Sequence, residues 1–424
     1  MENLGGYQPP YVQNITAKND TLSEKPKRRW PWVAIIVLLV VYVTAVSLWP
    51  APKVTATVNN ISLPKEDVTL PFPAYGTSAV GVQGDGVLAT SSNQKAAPIA
   101  STAKIMTALA VLKAKPLKIG ENGPTITIEQ ADVDYYNEQV REGGSTVPVK
   151  LGQNITERKA LEMLLIPSAN NIAFTLSRWA FGSVENYSKF ANNYAKELGA
   201  TNSNFTDPSG FKATTTSTAK DLVLLAEKLM QNEVTASIVK MQRVNLDSET
   251  SLPSTNSFLV LKPDVIGVKT GHHDEAGGCF VVAIESKTVT GETLRIISAV
   301  TNAPNLIQAM NDSYAVAQAT AGQISERNVI TTNQAVGTYS APWGVQADAT
   351  ASSGLSVLAW KGSKLEPKTS LAALSPSPDN AVAGKVNIKS ISGQEVSMAV
   401  KLNQELAAPS FLWRLTHPLK LISG

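Results

Sequence analysis

The sequence predicts an α/β (α+β) fold in which an antiparallel sheet is covered by helices and followed by a small all-β sandwich domain. Three observations favour this fold class. Strand-like runs on both sides of a central block of helical patterns are typical of such a sheet. From about Asn328, short alternating runs separated by Gly, Pro, Ser and Asp predict the sandwich. Ahead of both, the stretch from Trp32 to Trp49 carries no charge and predicts a transmembrane helix.

The composition bounds the class of protein. With 424 residues and 43% hydrophobic composition, the chain can hold two or three domains with apolar cores. A net charge of +3 is too small to indicate a nucleic-acid partner. The only cysteine, Cys279, excludes an internal disulfide framework and a cysteine-rich metal site, and we expect it to be buried in a strand.

These patterns divide the chain into five segments. We expect a cytoplasmic tail over 1–29, a transmembrane anchor over 30–50 and a linker over 51–69. A main domain over 70–326 then precedes the β-rich C-terminal domain over 327–424.

The orientation of the anchor follows from its flanks. As a helix, the apolar stretch reaches roughly 27 Å, close to the hydrocarbon thickness of a bilayer. Four basic residues between positions 25 and 29, against Lys53 after the stretch, predict a cytoplasmic N-terminus. The rest of the chain is then extracytoplasmic. A signal peptide cleaved near Ala45-Val46-Ser47 is the alternative.

In the main domain, alternation and glycines over Tyr75–Thr90 predict a strand hairpin, and a helix is expected from Ser101. Helical spacing over Thr156–Ile166 ends at Pro167, which predicts a tight turn at Ser168-Ala169-Asn170. The pattern then predicts three further helices, over Asn171–Phe181, over Val184–Leu198 and from Ser217. Three strands are expected over Val265–Thr270, Cys279–Ile284 and Leu294–Val300, and a closing helix over Pro304–Ile324.

The first chemical signal is Ser101-Thr102-Ala103-Lys104. On one face of a helix, Ser101 and Lys104 lie within mutual reach, so the amine can activate the serine without a histidine. The Ser-x-x-Lys pattern is expected about twice by chance in a chain of this length. It occurs six times, with its serine at positions 62, 92, 101, 209, 217 and 237. The copy at 217 even repeats the four letters, and there we expect Ser217 or Thr218 to cap a helix.

Two downstream signals single out Ser101. They are Ser168-Ala169-Asn170 between two helical patterns and Lys269-Thr270-Gly271 at the end of a strand. Our hypothesis is that Lys104 is the base for Ser101, which requires a largely neutral amine; partial burial and the charge of Lys269 both lower its pKa. Ser168 can pass a proton to the leaving group, and Asn170 can hold a substrate amide or orient the lysine.

The strand motif suits a substrate that ends in a carboxylate. Lys269 offers a cation and Thr270 a hydroxyl, while Gly271 lets a substrate backbone lie close to the strand. Backbone N–H groups of Ser101 and His272 are the simplest candidates for an oxyanion hole.

The order of these three motifs resembles the signature of penicillin-binding proteins and serine β-lactamases. The sequence around these motifs, over about residues 70–325, looks most like that of the low-molecular-mass D-alanyl-D-alanine carboxypeptidases. The resemblance implies a DD-peptidase domain that removes the terminal D-alanine from peptidoglycan pentapeptide through an acyl-serine, acts in cell-wall remodelling and is inactivated covalently by β-lactams. It also implies that Arg295 helps to bind the terminal carboxylate.

Two features depart from that group. Ala169 stands where these carboxypeptidases often have glycine, and the anchor is N-terminal where many members use a C-terminal amphipathic helix. For the last stretch, Phe411–Leu421, we favour a strand or helix packed on the β-rich domain over contact with a membrane surface.

Several other functions compete with this interpretation. The three histidines, His272, His273 and His417, have no ligand-spaced carboxylates, so neither a metal site nor any cofactor is predicted. A β-lactamase needs a placed glutamate to activate water, and none is evident. An endopeptidase that cuts cross-links with the same machinery stays open. A non-catalytic wall-binding protein or β-lactam sensor is disfavoured by the intact motif set.

Overall fold

The computed structural model describes residues 29–422, so nearly all of the predicted cytoplasmic tail lies outside the described residues. Helix α1 (Trp30–Leu48) begins with a proline in its first turn and is apolar on all sides. Within the described residues it is the one helix long and apolar enough to cross a membrane by length and composition. Strand β1 (Thr55–Val58) follows it.

The first half of the main domain carries most of its helices. The predicted hairpin is present, and the helices expected on both sides of the turn at Ser168 are present as well. The elements are β2 (Ser78–Val82), β3 (Gly86–Thr90), β4 (Ala97–Pro98), a 3-10 turn (Ala100–Ala103), α2 (Lys104–Ala114), β5 (Thr125–Thr127), α3 (Gln130–Arg141), β6 (Asn154–Thr156), α4 (Glu157–Leu165), α5 (Asn170–Phe181) and α6 (Val184–Glu197).

The second half of this domain supplies the long strands and the closing helix. The elements are β7 (Thr216–Ser217), α7 (Ala219–Gln231), α8 (Glu233–Val239), β8 (Arg243–Asn245), β9 (Ser251–Pro253), α9 (Phe258–Leu261), β10 (Val265–His273), β11 (Gly277–Lys287), β12 (Thr293–Ala303) and α10 (Leu306–Ala321). Strand β10 runs three residues past the predicted end, because Gly271 to His273 still pair with β11.

The predicted antiparallel sheet is confirmed. Five strands pair antiparallel in the order β10-β11-β12-β2-β3. The side chains of β11 alternate between two cores, as a strand requires. Val281 and Ala283 face the helical block that contains α2, while Phe280, Val282 and Ile284 face the core that includes α10. The sheet is therefore covered by helices on both faces.

The start of the helix at Ser101 differs from the prediction. Residues 100–103 form a 3-10 turn, and the α-helix begins only at Lys104. Ala100 enters this turn with φ at +47°, and the Thr102 hydroxyl donates to the carbonyl of Ile99 at 2.6 Å, which tightens the turn. Ser101 therefore lies on the turn ahead of the helix, three residues before Lys104.

The C-terminal part is rich in strands, as predicted. Its elements are β13 (Ile324–Ile330), β14 (Ala335–Ser340), β15 (Gln346–Ala351), β16 (Leu355–Trp360), β17 (Lys368–Leu371), β18 (Val382–Lys389), β19 (Glu395–Leu402), α11 (Phe411–Thr416) and α12 (Pro418–Ile422). A six-stranded sheet in the order β1-β14-β15-β19-β18-β17 and the pair β13-β16 enclose one core.

Part of the segment predicted as a linker forms a strand. Thr55 to Val58 pair with β14 and form the edge strand of the C-terminal sheet. All four residues are exposed, and their alternation of polar and apolar side chains spans only four positions within a Pro-rich segment, so its signal for a strand is weak. Arg327 also holds the linker, donating to the Pro64 carbonyl at 2.8 Å and pairing with Glu66 at 3.3 Å. The division into domains at residues 69 and 326 stays a prediction.

The end of the chain contacts both α1 and the β-rich part. Arg414 donates to the carbonyls of Val46 and Trp49 at 3.2 and 2.6 Å, and Tyr42 donates to the carbonyl of Leu415 at 2.6 Å. The ring of Trp413 meets Trp343 edge to face at 6.1 Å. Helix α11 thus packs against the last turns of α1 as well as against the β-rich part.

Candidate active site

Two of the three sequence motifs meet at the amine of Lys104. Its Nζ lies 2.8 Å from Ser101 Oγ, 2.7 Å from Asn170 Oδ1 and 3.0 Å from the carbonyl oxygen of Ser209. Helix α2 supplies the lysine, the 3-10 turn supplies the serine, and the start of α5 supplies the asparagine. The predicted pair of Ser101 and Lys104 is therefore in direct contact.

Lys104 is fully buried, and its surroundings disfavour the charged form. Burial lowers the pKa of Lys104 well below its ordinary value, and the nearby charge of Lys269 lowers it further. The carboxylate of Asp207 acts in the opposite direction but does not outweigh the other two effects. The arrangement can therefore keep a neutral amine beside the serine hydroxyl.

Ser209 and Asp207 belong to the site, although the sequence reasoning missed them. The Asp207 carboxylate accepts hydrogen bonds from the hydroxyls of Ser209 at 2.6 Å and Thr215 at 2.5 Å. This holds the Ser209 carbonyl toward Lys104. The stretch Asp207-Pro208-Ser209-Gly210 has the composition of a tight turn, a signal that could have marked a structured loop but not its contact with Lys104.

The turn between α4 and α5 presents Ser168 and Asn170. Ser168 has φ at +67°, and its buried hydroxyl has no hydrogen-bond partner among residues 29–422. A buried hydroxyl without a partner is costly, which is typical of a functional position. Asn170 is also buried; its side-chain amide donates to Gln139 Oε1 at 2.7 Å, and its backbone N–H donates to the Ser145 carbonyl at 2.7 Å.

Strand β10 brings the Lys-Thr-Gly motif beside the 3-10 turn. Lys269 is buried, and this burial lowers the pKa of Lys269 to about 7. The Thr270 hydroxyl donates to Thr255 Oγ1 at 2.7 Å. A Cβ atom on Gly271 would lie only 2.9 Å from the backbone N of Ser101, so only glycine lets the strand and the turn approach this closely. His272, the next residue, is exposed.

Arg295 does not join these residues, and this placement does not support its predicted role in substrate binding. On adjacent strands, Lys269 is aligned with Val281 and Val281 with Ala299. Arg295 lies four residues before Ala299, about 13 Å further along the sheet. Its guanidinium instead pairs with Glu285 at 3.2 Å. The spacing along the sequence could not show at which end of the strand the site lies.

Cys279 is buried in β11, as predicted, and packs against Ala100 and Ala276. It therefore supports the residue that precedes the serine. Of the two adjacent histidines, His273 contacts Glu275 at 3.0 Å.

Comparison with known proteins agrees with this geometry. Residues 76–305, more than half of the chain, match the Peptidase S11 family, described as D-alanyl-D-alanine carboxypeptidase. The chain belongs to this family. The match includes all three motifs and the strands and helices that present them.

Two curated relatives illustrate the range of the family. The D-alanyl-D-alanine carboxypeptidase DacF of Bacillus subtilis is 32% identical over 46% of this chain and 49% of its own length. The D-alanyl-D-alanine endopeptidase of Escherichia coli is 30% identical over 44% of this chain and 58% of its own length. The chain thus spans about half of the length of these relatives.

A solved structure extends the likeness beyond the matched region. Penicillin binding protein 5 from Haemophilus influenzae aligns over 80% of this chain and 99% of its own, with a TM-score of 0.56 and 19% identity. At that identity the likeness shows the fold. It covers more of the chain than the family match does, which agrees with a main domain followed by strands.

Proposed function

We propose that this chain is a serine-type D-Ala-D-Ala carboxypeptidase that removes the terminal D-alanine of peptidoglycan pentapeptide. Ser101 is the nucleophile, Lys104 its base and Ser168 the group that passes the proton to the leaving amine. Asn170, Lys269, Thr270, Gly271 and His272 bind and orient the substrate. The observation that carries the proposal is the buried amine of Lys104 in contact with the Ser101 hydroxyl.

The surroundings of Lys104 favour a base rather than a structural cation. A neutral amine has two N–H groups and one lone pair. The Ser209 carbonyl oxygen and Asn170 Oδ1 can only accept hydrogen bonds, so they occupy the two N–H groups. The lone pair then faces Ser101 Oγ at 2.8 Å, ready to take its proton.

Acylation follows from this arrangement. Ser101 Oγ attacks the carbonyl carbon of the penultimate D-alanine while its proton passes to Lys104. The resulting oxyanion lies against the backbone N–H groups of Ser101 and His272. The C–N bond then breaks, the leaving amine receives the proton through the Ser168 hydroxyl, and free D-alanine departs. The buried Ser168 hydroxyl, which lacks a partner among the described residues, is available for this relay.

Water completes the cycle. Once Lys104 is neutral again, it can take a proton from a water molecule that attacks the acyl carbon, and Ser101 Oγ leaves as the hydroxyl. A β-lactam acylates the same serine, but its opened ring stays attached and blocks this water, so β-lactams act as covalent inhibitors.

The C-terminal end of strand β10 binds the substrate carboxylate. Protonated Lys269 supplies the positive charge, and Thr270 supplies a hydroxyl on the same strand. Because burial lowers the pKa of Lys269 to about 7, its charge is retained mainly when a substrate carboxylate is bound or the pH is below neutral. Arg295 has no part in this step.

We infer that α1 anchors the enzyme, with a cytoplasmic N-terminus and the remaining chain outside. The basic residues before α1 support this orientation. Arg414 binds the carbonyls of Val46 and Trp49 at the C-terminal end of α1, which fastens the β-rich part beside the exit of the chain from the membrane. This domain would then hold the active site at a fixed distance from the bilayer.

Cleavage of cross-links is the second candidate activity. A relative from Escherichia coli is named an endopeptidase, and both reactions need the same acyl-serine. The two activities differ in the leaving group, which is a single D-alanine in one and a second stem peptide in the other.

The test is release of D-alanine from a pentapeptide ending in D-Ala-D-Ala by the full chain in detergent micelles, beside Ser101→Ala. We expect release by the unaltered chain and none by the variant. A cross-linked dimer serves as the parallel substrate. Cleavage of the dimer without release from the pentapeptide would favour the endopeptidase, and no reaction with either would contradict both.

A further inference from the structure

We propose that Gln139 and Glu142 are positioning residues that decide which end of the Asn170 amide faces Lys104. This inference rests on the function proposed above, because it concerns the proton acceptor of that reaction. Neither residue belongs to a sequence motif; both come from the C-terminal end of α3, which lies beside the start of α5.

Three hydrogen bonds form an unbroken chain from the surface to the nucleophile's base. Gln139 Nε2 donates to Glu142 Oε2 at 2.9 Å. Asn170 Nδ2 donates to Gln139 Oε1 at 2.7 Å, and Lys104 Nζ donates to Asn170 Oδ1 at 2.7 Å. Glu142 is exposed, while Gln139, Asn170 and Lys104 are buried.

The carboxylate at the outer end gives this chain its direction. An ionised glutamate can only accept, so Gln139 must turn its NH2 group toward Glu142 and its oxygen toward Asn170. Asn170 must then donate to that oxygen and present its own oxygen to Lys104. Without such an end group, two amides in series could both rotate by half a turn and still be hydrogen-bonded to each other.

The direction matters for the chemistry of Lys104. With Asn170 Oδ1 toward the amine, a neutral Lys104 donates one N–H to this oxygen, and its lone pair can accept the proton of Ser101. In the rotated state, Asn170 Nδ2 would donate to that lone pair, and the serine would face an N–H group instead. Ser101 would then have no proton acceptor, although every residue of the site would still be in place.

The contact between the side-chain amides of Gln139 and Asn170 requires a glycine at position 144. A Cβ atom on Gly144 would lie 2.5 Å from Gln139 Oε1 and 2.8 Å from Asn170 Nδ2. The backbone N–H of Gly144 donates to the Gln139 carbonyl at 2.8 Å, and the Ser145 carbonyl accepts from the Asn170 backbone at 2.7 Å. The loop after α3 therefore holds the backbones of Gln139 and Asn170, the two residues that carry these amides.

The experiment measures acylation of the full chain in detergent micelles by a fluorescent penicillin, with the rate and the dissociation constant determined separately from pH 5 to 9. We expect Gln139→Leu to lower the acylation rate about 10- to 100-fold, with little change in the dissociation constant and no recovery at higher pH. Glu142→Gln should lower the rate less, because some molecules keep the productive direction. Glu138→Gln removes an equal charge from the same helix and should match the unaltered chain.

A double variant distinguishes the direction of the hydrogen-bond chain from a loss of packing at position 139. In the double variant Gln139→Glu with Glu142→Gln, the introduced carboxylate at position 139 accepts from Asn170 and from the new amide at 142. The productive direction is restored, so we expect the rate to return to within about threefold of the unaltered chain. The acid limb of the pH profile should move to higher pH, because a negative charge closer to Lys104 raises the pKa of its amine.

Two results would overturn the proposal. One is a Gln139→Leu variant that is acylated at the original rate; the other is a double variant that is no better than Gln139→Leu although its thermal midpoint equals that of the unaltered chain. If the unaltered chain itself is not acylated while Ser101→Ala behaves identically, the proposed function fails, and this inference fails with it.

Discussion

The same four letters, Ser-Thr-Ala-Lys, occur at 101–104 and at 217–220, and the structure gives them different roles. In the first copy, Lys104 is buried and lies 2.8 Å from Ser101. In the second, Lys220 is exposed. Whether a lysine can act as a base is therefore decided by its burial and by the acceptors around it, neither of which the four letters contain.

The hydroxyls of the second copy are already occupied by structural contacts. Ser217 shares a hydrogen bond with Ser203 at 2.8 Å, and Thr218 caps α7 by accepting from the backbone N–H of Asp221 at 3.1 Å. In the first copy, no side-chain cap is found at the start of α2, and the serine is left to face the amine. One copy caps a helix, and the other brings a serine hydroxyl against a buried amine.

The largest expected difference between the copies is at the serines. Ser101→Ala should reduce D-alanine release to background, a loss on the order of 10⁶-fold, because the acyl-serine cannot form. Ser217→Ala should leave release within about twofold of the unaltered chain, since its hydroxyl only bonds a neighbouring loop. Release of D-alanine from the pentapeptide measures both; equal losses in the two variants would remove the distinction.

The lysines should differ next. Lys104→Ala should slow acylation by penicillin about 10²- to 10⁴-fold, because the proton acceptor is lost. Lys220→Ala, with the same truncation on an exposed side chain, should react at the original rate. The measurement is the single-turnover acylation rate, and unchanged acylation of Lys104→Ala would show that another group takes the proton.

A change in pH dependence sharpens the assignment of Lys104. Acylation needs the neutral amine, so its rate falls as the pH drops through the pKa of Lys104. Protonated Lys269 lowers that pKa, and Lys269 is charged below about pH 7. Lys269→Gln removes the repulsion, so the protonated form of Lys104 becomes easier to reach and the acid limb should move to higher pH. A limb that stays in place or moves to lower pH would contradict the coupling; Lys220→Gln is the control.

The smallest effect is expected at the threonine of the second copy. Thr218→Ala removes the N-cap of α7 and should lower the free energy of unfolding by about 1 kcal/mol, seen as a lower thermal midpoint. The acylation rate of the folded protein should not change. A variant that keeps its midpoint would show that the cap contributes nothing measurable, and one that loses acylation while folded would place α7 in the reaction.

Sequence reasoning predicted the fold class and brought Ser101, Lys104, Ser168, Asn170 and the Lys-Thr-Gly strand into one hypothesis because each carries a local signal. Helix spacing, a proline stop and a strand end lie within a few residues of each motif. The edge strand at Thr55–Val58 is only four residues long and lies in a Pro-rich segment, so its signal is weak.

The contacts that complete the site could not be read in this way. Ser209 reaches Lys104 and Gln139 reaches Asn170 only through the packing of distant segments, and Asp207 acts by holding Ser209. Arg295 shows the opposite case. Its strand is predicted correctly, but the end of the strand that faces the site depends on the register with two neighbouring strands, and that register places Arg295 away from the other site residues. Long-range register is a tertiary property that single-residue patterns do not encode.

The position of the covalent adduct tests the assignment of Ser101 as the nucleophile most directly. The full chain is treated with benzylpenicillin, digested and analysed by mass spectrometry. We expect one penicilloyl group, carried by the peptide that contains Ser101, and none on the peptide that contains Ser217. An adduct on Ser217, or an unmodified Ser101 in a protein that has bound the drug covalently, would contradict this assignment.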